Sequence, residues 1–415
     1  MPRPRRRVAS AGIGAVTAGL LLASGAAFAA PEQEDSGDTG IAMGAYLDYG
    51  PEGVARIPQL SRWLGGREIR VGHTYLPGDR WSNIEGAPDF LEDWAAWRRG
   101  DPDRMFVLNV PMQERNESRV PDHQVAQLIR AGAQGYYDQH FKTLAQRLVD
   151  LGVPDTVIVL GWEMNGVTYT HRCAPDPENW KRYWRRIVTA MRSVPGQEFR
   201  FDFAPSRGTD AIGWDRCYPG DDVVDVIGMD SYDQAPGRTF DEMISQPYGL
   251  QDHVDFAKAH GKRISYPEWG LFRYGDNPEY MRRMLQWIDE HKPLYHTITD
   301  YCPHGVWQCA ANPQSAKVFR DALTTLPRPV PTPAEPTPTP AEPKPSPDVP
   351  GPGPEPSPDT PKPSPDVPEP SPDPTTPRPP VNSTEWCLPL NFGDWLGQLL
   401  GKKSLCVKFD WTWPF

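Results

Sequence analysis

The chain has 415 residues, with 54 aspartates and glutamates against 43 lysines and arginines, and a formal net charge of −11. This acidic balance argues against a nucleic-acid partner, because nucleic-acid binding depends on basic patches. An uncharged polymer is the more natural partner. Beyond the first thirty residues, no segment has eighteen consecutive apolar residues. We therefore expect the mature chain to have no membrane-spanning helix and no membrane partner.

Residues 1–30 have the features of a secretory signal peptide. Four arginines lie near the start, an apolar stretch rich in Ala and Gly follows, and Ala27-Phe28-Ala29 fits a cleavage site. An uncleaved membrane anchor is the alternative, but the small-residue exit favours cleavage. We expect a secreted, extracellular protein. Cleavage would change the formal charge from −11 to −15, because the segment contains those four arginines and no acidic residue.

The six cysteines all follow the signal segment. An even number in an oxidising compartment favours disulfides, although six cysteines allow fifteen pairings. Sequence order suggests the pairs Cys173–Cys217, Cys302–Cys309 and Cys387–Cys406. Metal binding is the alternative, because His171 and His304 lie close to cysteines, but the spacings match no zinc signature. We expect no metal and no organic cofactor.

Residues 31–326 alternate short apolar runs with amphipathic helical patterns, which indicates a parallel sheet covered on both faces. Strands are predicted near 41–48, 67–76, 104–111, 156–163, 198–205, 223–232, 262–269 and 294–301. Helices are predicted over 123–151, 178–193, 241–260 and 277–290. Eight such strands predict an α/β fold, a (β/α)₈ TIM barrel. The connection 206–222 has the weakest helical signal.

A proline-rich linker is predicted over residues 327–380. This segment holds 25 of the 50 prolines and four copies of Pro-Ser-Pro-Asp, so it is expected to be disordered and extended. A small C-terminal module follows at 381–415, rich in Trp and Phe and too short to be stable without a disulfide. It either binds polymer or retains the protein at the cell surface, or its rings only build a small core.

Two glutamates carry the functional hypothesis. Glu163 and Glu268 each end a predicted strand, and their separation of 105 residues corresponds to about three βα units of a barrel. All barrel strands end at one face, so the two carboxylates are expected to meet there, as hydrolysis of a glycosidic bond requires. A single glutamate at a strand end is usually solvated or caps a helix. The pair, each framed by Trp and Gly, favours catalysis.

Residues 40–325 resemble the family 26 glycoside hydrolases, clan A retaining enzymes that include β-mannanases, some mixed-linkage β-glucanases and β-1,3-xylanases. Glu163-Met164-Asn165-Gly166 is similar to the motif that carries the family's acid/base, and Glu268-Trp269-Gly270 to its nucleophile motif. The resemblance implies that Glu163 is the proton donor and general acid/base and that Glu268 is the nucleophile. It also implies that Tyr232 orients the nucleophile and that His73 matches a subsite histidine.

One departure affects the predicted substrate. Characterised mannanases of the family usually have His before the acid/base, where this chain has Trp162, and the aromatic after the glutamate is displaced to the region of Thr168 and Tyr169. Aromatic rings at strand ends are expected to line a groove for sugars; the rings considered are Tyr75, Trp81, Trp162, Tyr169, Trp214, Trp269, Tyr301 and Trp307. The predicted substrate-binding residues are His73, Trp162, Asn165, Tyr169, Tyr232, Trp269 and Trp307.

The sequence thus predicts a secreted, retaining endo-β-glycanase with a polysaccharide substrate. β-Mannan is the first expectation, and mixed-linkage or another β-glucan is the second. A non-catalytic carbohydrate-binding barrel displayed at the cell surface is a different class, and a structural wall protein is a third. The presence of both glutamates argues against the last two, because binding alone does not require them.

Overall fold

The computed structural model describes residues 41–87 and 89–324, together with the backbone of two short strands at 385–389 and 404–408. The predicted signal peptide, the linker and the rest of the C-terminal module lie outside the described residues. The chain divides into two units, Met1–Ala334 and Glu335–Phe415. Each unit is described by itself.

The first unit is built on a closed barrel of eight parallel strands. Neighbouring strands pair in parallel around the ring, and β8 pairs with β1 to close it. The strands are β1 (Ala42–Tyr46), β2 (Val71–Tyr75), β3 (Met105–Val110), β4 (Val157–Leu160), β5 (Arg200–Phe203), β6 (Val226–Gly228), β7 (Arg263–Gly270) and β8 (Tyr295–Thr299). Ser231–Tyr232 extend β6 after a short break and pair with the end of β7. The predicted (β/α)₈ TIM barrel is confirmed.

Helices surround the barrel. They are α1 (Pro51–Trp63), α2 (Trp81–Ile84), α3 (Leu91–Arg99), α4 (Asp122–Ala133), α5 (Asp138–Asp150), α6 (Pro177–Arg192), α7 (Phe240–Ser245), α8 (Leu250–Ala259), α9 (Pro278–His291) and α10 (Pro313–Thr324). The connection 206–222, which has the weakest helical signal in the sequence, contains only a short 3₁₀ turn, Trp214–Cys217. Among the described residues, no helix has the length and apolarity needed to span a membrane.

Two helices predicted as continuous are each broken in two. The pattern over 123–151 becomes α4 and α5, separated at Gly135, which has a φ of 92°. The pattern over 241–260 becomes α7 and α8, separated at Gln246, whose extended ψ of 155° precedes Pro247. Glycine adopts the left-handed conformation readily, and a residue before proline is disfavoured in the helical region. Both breaks therefore have a local cause.

Two buried clusters divide the core of the barrel unit. The larger lies between the strands and the helices, and the smaller fills the barrel interior with residues from β1, β2, β3, β4 and β8. Val71 and Val107 belong to the interior cluster. Because alternate residues of a strand face the same side, His73 and Asn109 also point inward, one step nearer the carboxyl ends of the strands. This register carries polar side chains to the mouth of the barrel.

The structure confirms two predicted disulfides, Cys173–Cys217 and Cys302–Cys309. These bonds exclude the metal interpretation at the same cysteines. In the second unit, β9 (Glu385–Pro389) pairs antiparallel with β10 (Ser404–Lys408), and Cys387 is directly opposite Cys406 in the register. The side chains of this hairpin lie outside the described residues, so the third disulfide stays a prediction.

The two confirmed disulfides are expected to differ in their contribution to stability. Cys173–Cys217 joins residues 44 apart, whereas Cys302–Cys309 joins residues 7 apart. In the chain-entropy account, removing the longer crosslink costs about 4 kcal/mol of unfolding free energy and the shorter about 2.5 kcal/mol. Denaturant unfolding of the two double-alanine variants would measure the difference. Equal losses would contradict this account.

Candidate active site

Glu163 and Glu268 meet at the carboxyl-terminal mouth of the barrel. Glu268 is in β7 and is 7% exposed, whereas Glu163 is half-buried and follows the end of β4 by three residues. The intervening turn is made by Gly161, with a φ of 59°, and by Glu163 itself, with a φ of 50°. A Cβ at Gly161 would lie 2.4 Å from the sulfur of Met112, so only glycine fits.

The backbone conformation of Glu163 is unusual for a residue with a side chain. The left-handed region costs a non-glycine residue roughly 1–3 kcal/mol, and such strain is concentrated at functional sites. The Glu163 N–H donates to the carbonyl of Ala204 at 2.8 Å, which ties this turn to the end of β5. The sharp turn therefore has a fixed geometry.

Three donors surround the Glu268 carboxylate. The Asn109 side-chain N–H donates to Oε1 at 3.2 Å, and the Tyr232 hydroxyl donates to Oε2 at 2.8 Å. The Tyr75 hydroxyl also hydrogen-bonds Glu268. Burial raises the pKa of Glu268 above its ordinary value, while these hydrogen bonds favour the ionised form and oppose the rise. The carboxylate is thus held in place and supplied with donors.

The environment of Glu163 favours the protonated form. Burial and, next, the negative charge of Glu268 raise the pKa of Glu163 to about 8, with a further contribution from Asp210. Only the Ser206 side chain opposes this shift by hydrogen bonding. Since Glu268 has three donors, it loses its proton first, and its charge then keeps Glu163 protonated. The two carboxyls are placed in different protonation states at one pH, as an acid and a nucleophile require.

Buried polar side chains inside the barrel connect to Glu268 through hydrogen bonds. His73 is fully buried, and burial lowers its pKa to about 4, so its ring is neutral. Its Nε2–H donates to Oδ1 of Asn109 at 2.9 Å, and its Nδ1 lies 2.9 Å from the hydroxyl oxygen of Thr297. Asn109 is thereby oriented with its amide N–H toward Glu268. His73, predicted to contact substrate, is instead a positioning residue.

Comparison with known proteins identifies the barrel. Residues 107–269, which run from β3 to β7 and include both glutamates, match the model of Glycosyl hydrolase family 26. The central part of the barrel therefore resembles this family. The chain is a glycoside hydrolase, and the family implies a polysaccharide substrate.

Solved structures share the fold of this barrel. They include the Bacillus subtilis mannanase BCman, with a TM-score of 0.51 and 15% identity over 68% of this chain and 85% of that chain. GH26C from Muricauda sp. MAR_2010_75 has a TM-score of 0.51 and 16% identity, covering 68% and 84%. A Cellulomonas fimi endo-β-1,4-mannanase double mutant has a TM-score of 0.53 and 17% identity, covering 69% and 71%. A search of curated proteins found no significant match.

Three predicted site residues of this glycoside hydrolase lie close to the glutamates. Tyr232 contacts Glu268 directly, and partly exposed Tyr169 lies near enough that the charges of Glu163 and Glu268 both raise its pKa. The Trp162 ring is buried against Tyr75, with ring centroids 5.6 Å apart, and against Tyr169 at 5.1 Å. Trp162 therefore packs beside both tyrosines.

Two other predicted substrate-binding residues are fully buried. Asn165 is fully buried; its Oδ1 accepts from the Ser206 N–H, and its Nδ2 donates to the carbonyls of Ser206 and Gly208. It fastens the loop after β5 to the loop that carries Glu163. Trp269 is also fully buried and packs on Phe319 of α10, outside the barrel. Neither side chain is accessible to a polysaccharide.

Some of the remaining aromatic candidates are packed among the helices, and one is partly exposed on a loop. Trp81 stacks on His140 of α5, and Trp214 packs on Phe256 of α8, so both belong to the helical layer. Trp307 is partly exposed on the loop after β8. Asp300 braces that loop, because its Oδ1 accepts from the backbone N–H of Val306 at 2.6 Å and of Trp307 at 2.9 Å.

The sequence prediction missed three polar residues at the site. Asn109 and Asp210 act on Glu268 and Glu163 as described, and Asp230 is a third buried carboxyl beside them. Burial and the charges of Glu268 and Glu163 raise the pKa of Asp230 well above its usual range, which favours its protonated form. Within residues 41–87 and 89–324, no group of three or more His, Cys, Asp or Glu side chains is arranged to hold a metal ion.

Removal of the Tyr232 hydroxyl is expected to slow hydrolysis and shift its pH profile. A hydrogen bond to a charged group contributes about 1.5–3 kcal/mol, so Tyr232→Phe should lower kcat/KM by roughly 10- to 100-fold. Losing a donor raises the pKa of Glu268, which must be ionised for attack. When the solution is acidified, activity should therefore begin to fall at a higher pH than in the wild type. The pH dependence of kcat/KM measures this shift.

The matched control is Tyr274→Phe. The Tyr274 hydroxyl donates to the carbonyl of Gly237 on the exposed surface, so its loss should leave the acidic limb unchanged. An unshifted limb in Tyr232→Phe would show that this hydroxyl does not stabilise the ionised Glu268.

Proposed function

We propose that this chain is a secreted, retaining endo-β-glycanase that hydrolyses β-mannan, with Glu163 as general acid/base and Glu268 as nucleophile. The observation that carries the proposal is the unequal treatment of the two carboxyls. Glu268 accepts hydrogen bonds from Asn109, Tyr232 and Tyr75. Glu163 is half-buried and lies near the negative charge of Glu268. One carboxyl is prepared to attack, and the other is prepared to give a proton.

Hydrolysis would proceed in two displacements. In the first, ionised Glu268 attacks the anomeric carbon while protonated Glu163 donates its proton to the departing glycosidic oxygen, which gives a glycosyl-enzyme ester. In the second, ionised Glu163 takes a proton from water, which attacks the same carbon and releases the sugar with retained configuration. In the glycosyl-enzyme ester, the Glu268 side chain no longer carries a negative charge. This lowers the pKa of Glu163 and suits it to act as the base.

β-Mannan is the proposed substrate because structural neighbours from Bacillus subtilis and Cellulomonas fimi are described as mannanases. Mixed-linkage β-glucan is the second candidate. It is retained because Trp162 occupies the position before the acid/base, where mannanases of the family usually have histidine, and its ring packs against Tyr75 and Tyr169. Secretion is supported by residues 1–30 and by two disulfides, which form in oxidising compartments.

A polymer panel tests the proposal. We expect the full chain to release reducing sugar from β-mannan faster than from mixed-linkage β-glucan or β-1,3-xylan, with a rapid fall in viscosity that indicates internal cleavage. Proton NMR of the first products should show the β-anomer, as double displacement requires. Glu268→Gln is the negative control. Absence of sugar release from every polymer, or first products of inverted configuration, would refute the proposal.

A further inference from the structure

Arg207 is a buried arginine on the loop after β5, with 6% of its surface exposed. Its guanidinium donates to three backbone carbonyls of the segment after β6. Nη2 donates to the carbonyls of Tyr232 and Gln234, each at 2.8 Å, and Nη1 donates to that of Pro236 at 2.6 Å. Nε also donates to the Ser231 hydroxyl at 3.3 Å. The guanidinium therefore binds one short segment of the chain at several points.

The chemistry of these contacts requires an arginine. A buried positive charge is costly unless its donors are hydrogen-bonded. The acceptors of Arg207 are carbonyls and one hydroxyl, so no ion pair offsets this cost among these contacts. The planar guanidinium has five donors in a fixed fork, which suits several carbonyls that converge from one segment. Lysine has three donors on one nitrogen and cannot span the same set.

The segment that Arg207 binds carries a donor to the nucleophile. The Tyr232 hydroxyl donates to Oε2 of Glu268 at 2.8 Å, and the Tyr232 backbone pairs with Gly270 at the end of β7. The strand pairing and the guanidinium therefore fix the backbone of this segment together. Without the guanidinium, a shift of the backbone at Tyr232 would move the hydroxyl away from the carboxylate.

The loop that carries Arg207 is also fastened to the turn of Glu163. Asn165 makes three hydrogen bonds to the backbone of Ser206 and Gly208, and the Glu163 N–H donates to a carbonyl at the end of β5, as described above. This loop therefore contacts the acid/base on one side. On the other side, through the guanidinium, it contacts the segment that supports the nucleophile.

We propose that Arg207 is a positioning residue that holds Tyr232 against Glu268 and joins the support of the nucleophile to that of Glu163. This rests on the proposed function, because it takes Glu268 as the nucleophile. In the described structure the guanidinium donates to neither glutamate, so it acts through the backbone of Tyr232. Loss of Arg207 should therefore disfavour the ionised form of Glu268. The turn of Glu163 should keep its shape, because Asn165 still holds it.

A double-mutant cycle with Tyr232→Phe tests whether Arg207 acts through Tyr232. The substrate is dinitrophenyl β-mannobioside, whose leaving group departs without a proton, so kcat/KM reports the attack by Glu268. We expect Arg207→Met to lower kcat/KM by roughly 10- to 100-fold, as Tyr232→Phe does, and to move the acidic limb of the pH profile to a higher pH. Because both substitutions remove the same hydrogen bond, the double variant should lie within about threefold of the slower single variant. Losses that multiply would overturn the proposal.

Arg207→Lys tests the same point with a smaller change, should Arg207→Met fail to fold. It keeps the positive charge but loses the fork, so fewer of the carbonyls can be bound. The acidic limb should again move to a higher pH, and the loss of kcat/KM should again not multiply with that of Tyr232→Phe. An acidic limb at the wild-type position in Arg207→Lys would overturn the proposal.

The matched control is Arg172→Met. Arg172 is likewise 6% exposed and donates to the carbonyls of Tyr169 and Val120, besides an ion pair with Asp122. Its loss removes a buried guanidinium from the same barrel and should lower the temperature of thermal unfolding to a similar extent. Because Arg172 does not bind the segment of Tyr232, the acidic limb should stay at the wild-type position.

Carbon NMR of the Glu268 carboxyl tests the positioning role without a substrate. In protein labelled with ¹³C at the glutamate carboxyls, the Glu268 signal is identified by its loss in Glu268→Gln. Its pKa should be higher in Arg207→Lys than in the wild type and Arg172→Met. If the wild type cleaves the mannobioside but this pKa is equal in all three proteins, Arg207 has no positioning role and the proposed function stands. If the pKa rises in Arg207→Lys but the wild type cleaves no glycoside, the proposed function fails and the positioning of Tyr232 stands.

Discussion

Replacement of Glu268 by alanine is expected to reduce kcat on β-mannan by about 10⁴-fold or more, as removal of a covalent nucleophile does in other hydrolases. Without the carboxylate, no glycosyl-enzyme ester can form. Glu268 is also the group on which Asn109, Tyr232 and Tyr75 converge, so no neighbouring carboxylate has equivalent donors. Asp230 lies nearby, but burial and the neighbouring charges raise its pKa and favour the protonated form, which is a poor nucleophile.

Azide should rescue this variant in a way that reveals the role of Glu268. The shortened side chain leaves space on the face of the sugar from which Glu268 would attack. With dinitrophenyl β-mannobioside, azide entering there would give an α-glycosyl azide, with the configuration inverted by a single displacement. NMR of the product assigns its anomer. A β-azide, or activity close to that of the wild type, would show that Glu268 is not the nucleophile.

The control for this experiment is Glu198→Ala. Glu198 is exposed just before β5, at the amino-terminal end of the barrel, opposite the mouth. This substitution removes the same carboxylate from the same fold, so rates within about twofold of the wild type are expected for an exposed residue remote from the site. Azide should have no effect on it.

The barrel could be predicted because its strands are local patterns. Runs such as Val157–Leu160 are apolar throughout, and both faces of such a strand are buried. The helix breaks could not be predicted from periodicity, because the apolar pattern continues across Gly135 and only one residue turns left-handed there. Four helices had no prediction at all: α1, α2, α3 and α10. α2 and α3, with four and nine residues, are too short for a clear periodic signal.

The two glutamates of the site could be predicted from the sequence, but the residues that position them could not. Alternation along a strand could have excluded Trp269, because it is adjacent to Glu268 and must face the helices when Glu268 faces the mouth. The same rule applied to Val107 would have found Asn109. The burial of Trp162 depends on the left-handed turn at Glu163, and the bonds of Asn165 cross to the loop after β5. Such long-range contacts leave no pattern in one sequence.

Replacement of Glu163 by alanine is expected to give a result that depends on the leaving group. Hydrolysis of β-mannan should slow by about 10²- to 10⁴-fold, because its alkoxide must be protonated as it departs. Dinitrophenolate leaves without a proton, so formation of the ester on Glu268 should proceed within about tenfold of the wild-type rate on dinitrophenyl β-mannobioside. Breakdown of the ester would then be slow, since no base activates water. A burst of dinitrophenol followed by a low steady rate is expected.

The same variant should also lose the basic limb of the pH profile. In the wild type, activity requires protonated Glu163, so kcat/KM should fall as the pH rises through about 8, the pKa set by burial and the charge of Glu268. With alanine at this position, the residual kcat/KM on β-mannan should stay level across that range. Azide should accelerate breakdown and give a β-glycosyl azide, because it attacks the ester from the side of Glu163. A burst with this retained product in Glu163→Ala, together with the inverted product of Glu268→Ala, would assign the roles of the two carboxyls separately. If the basic limb persists in Glu163→Ala, another residue is the proton donor.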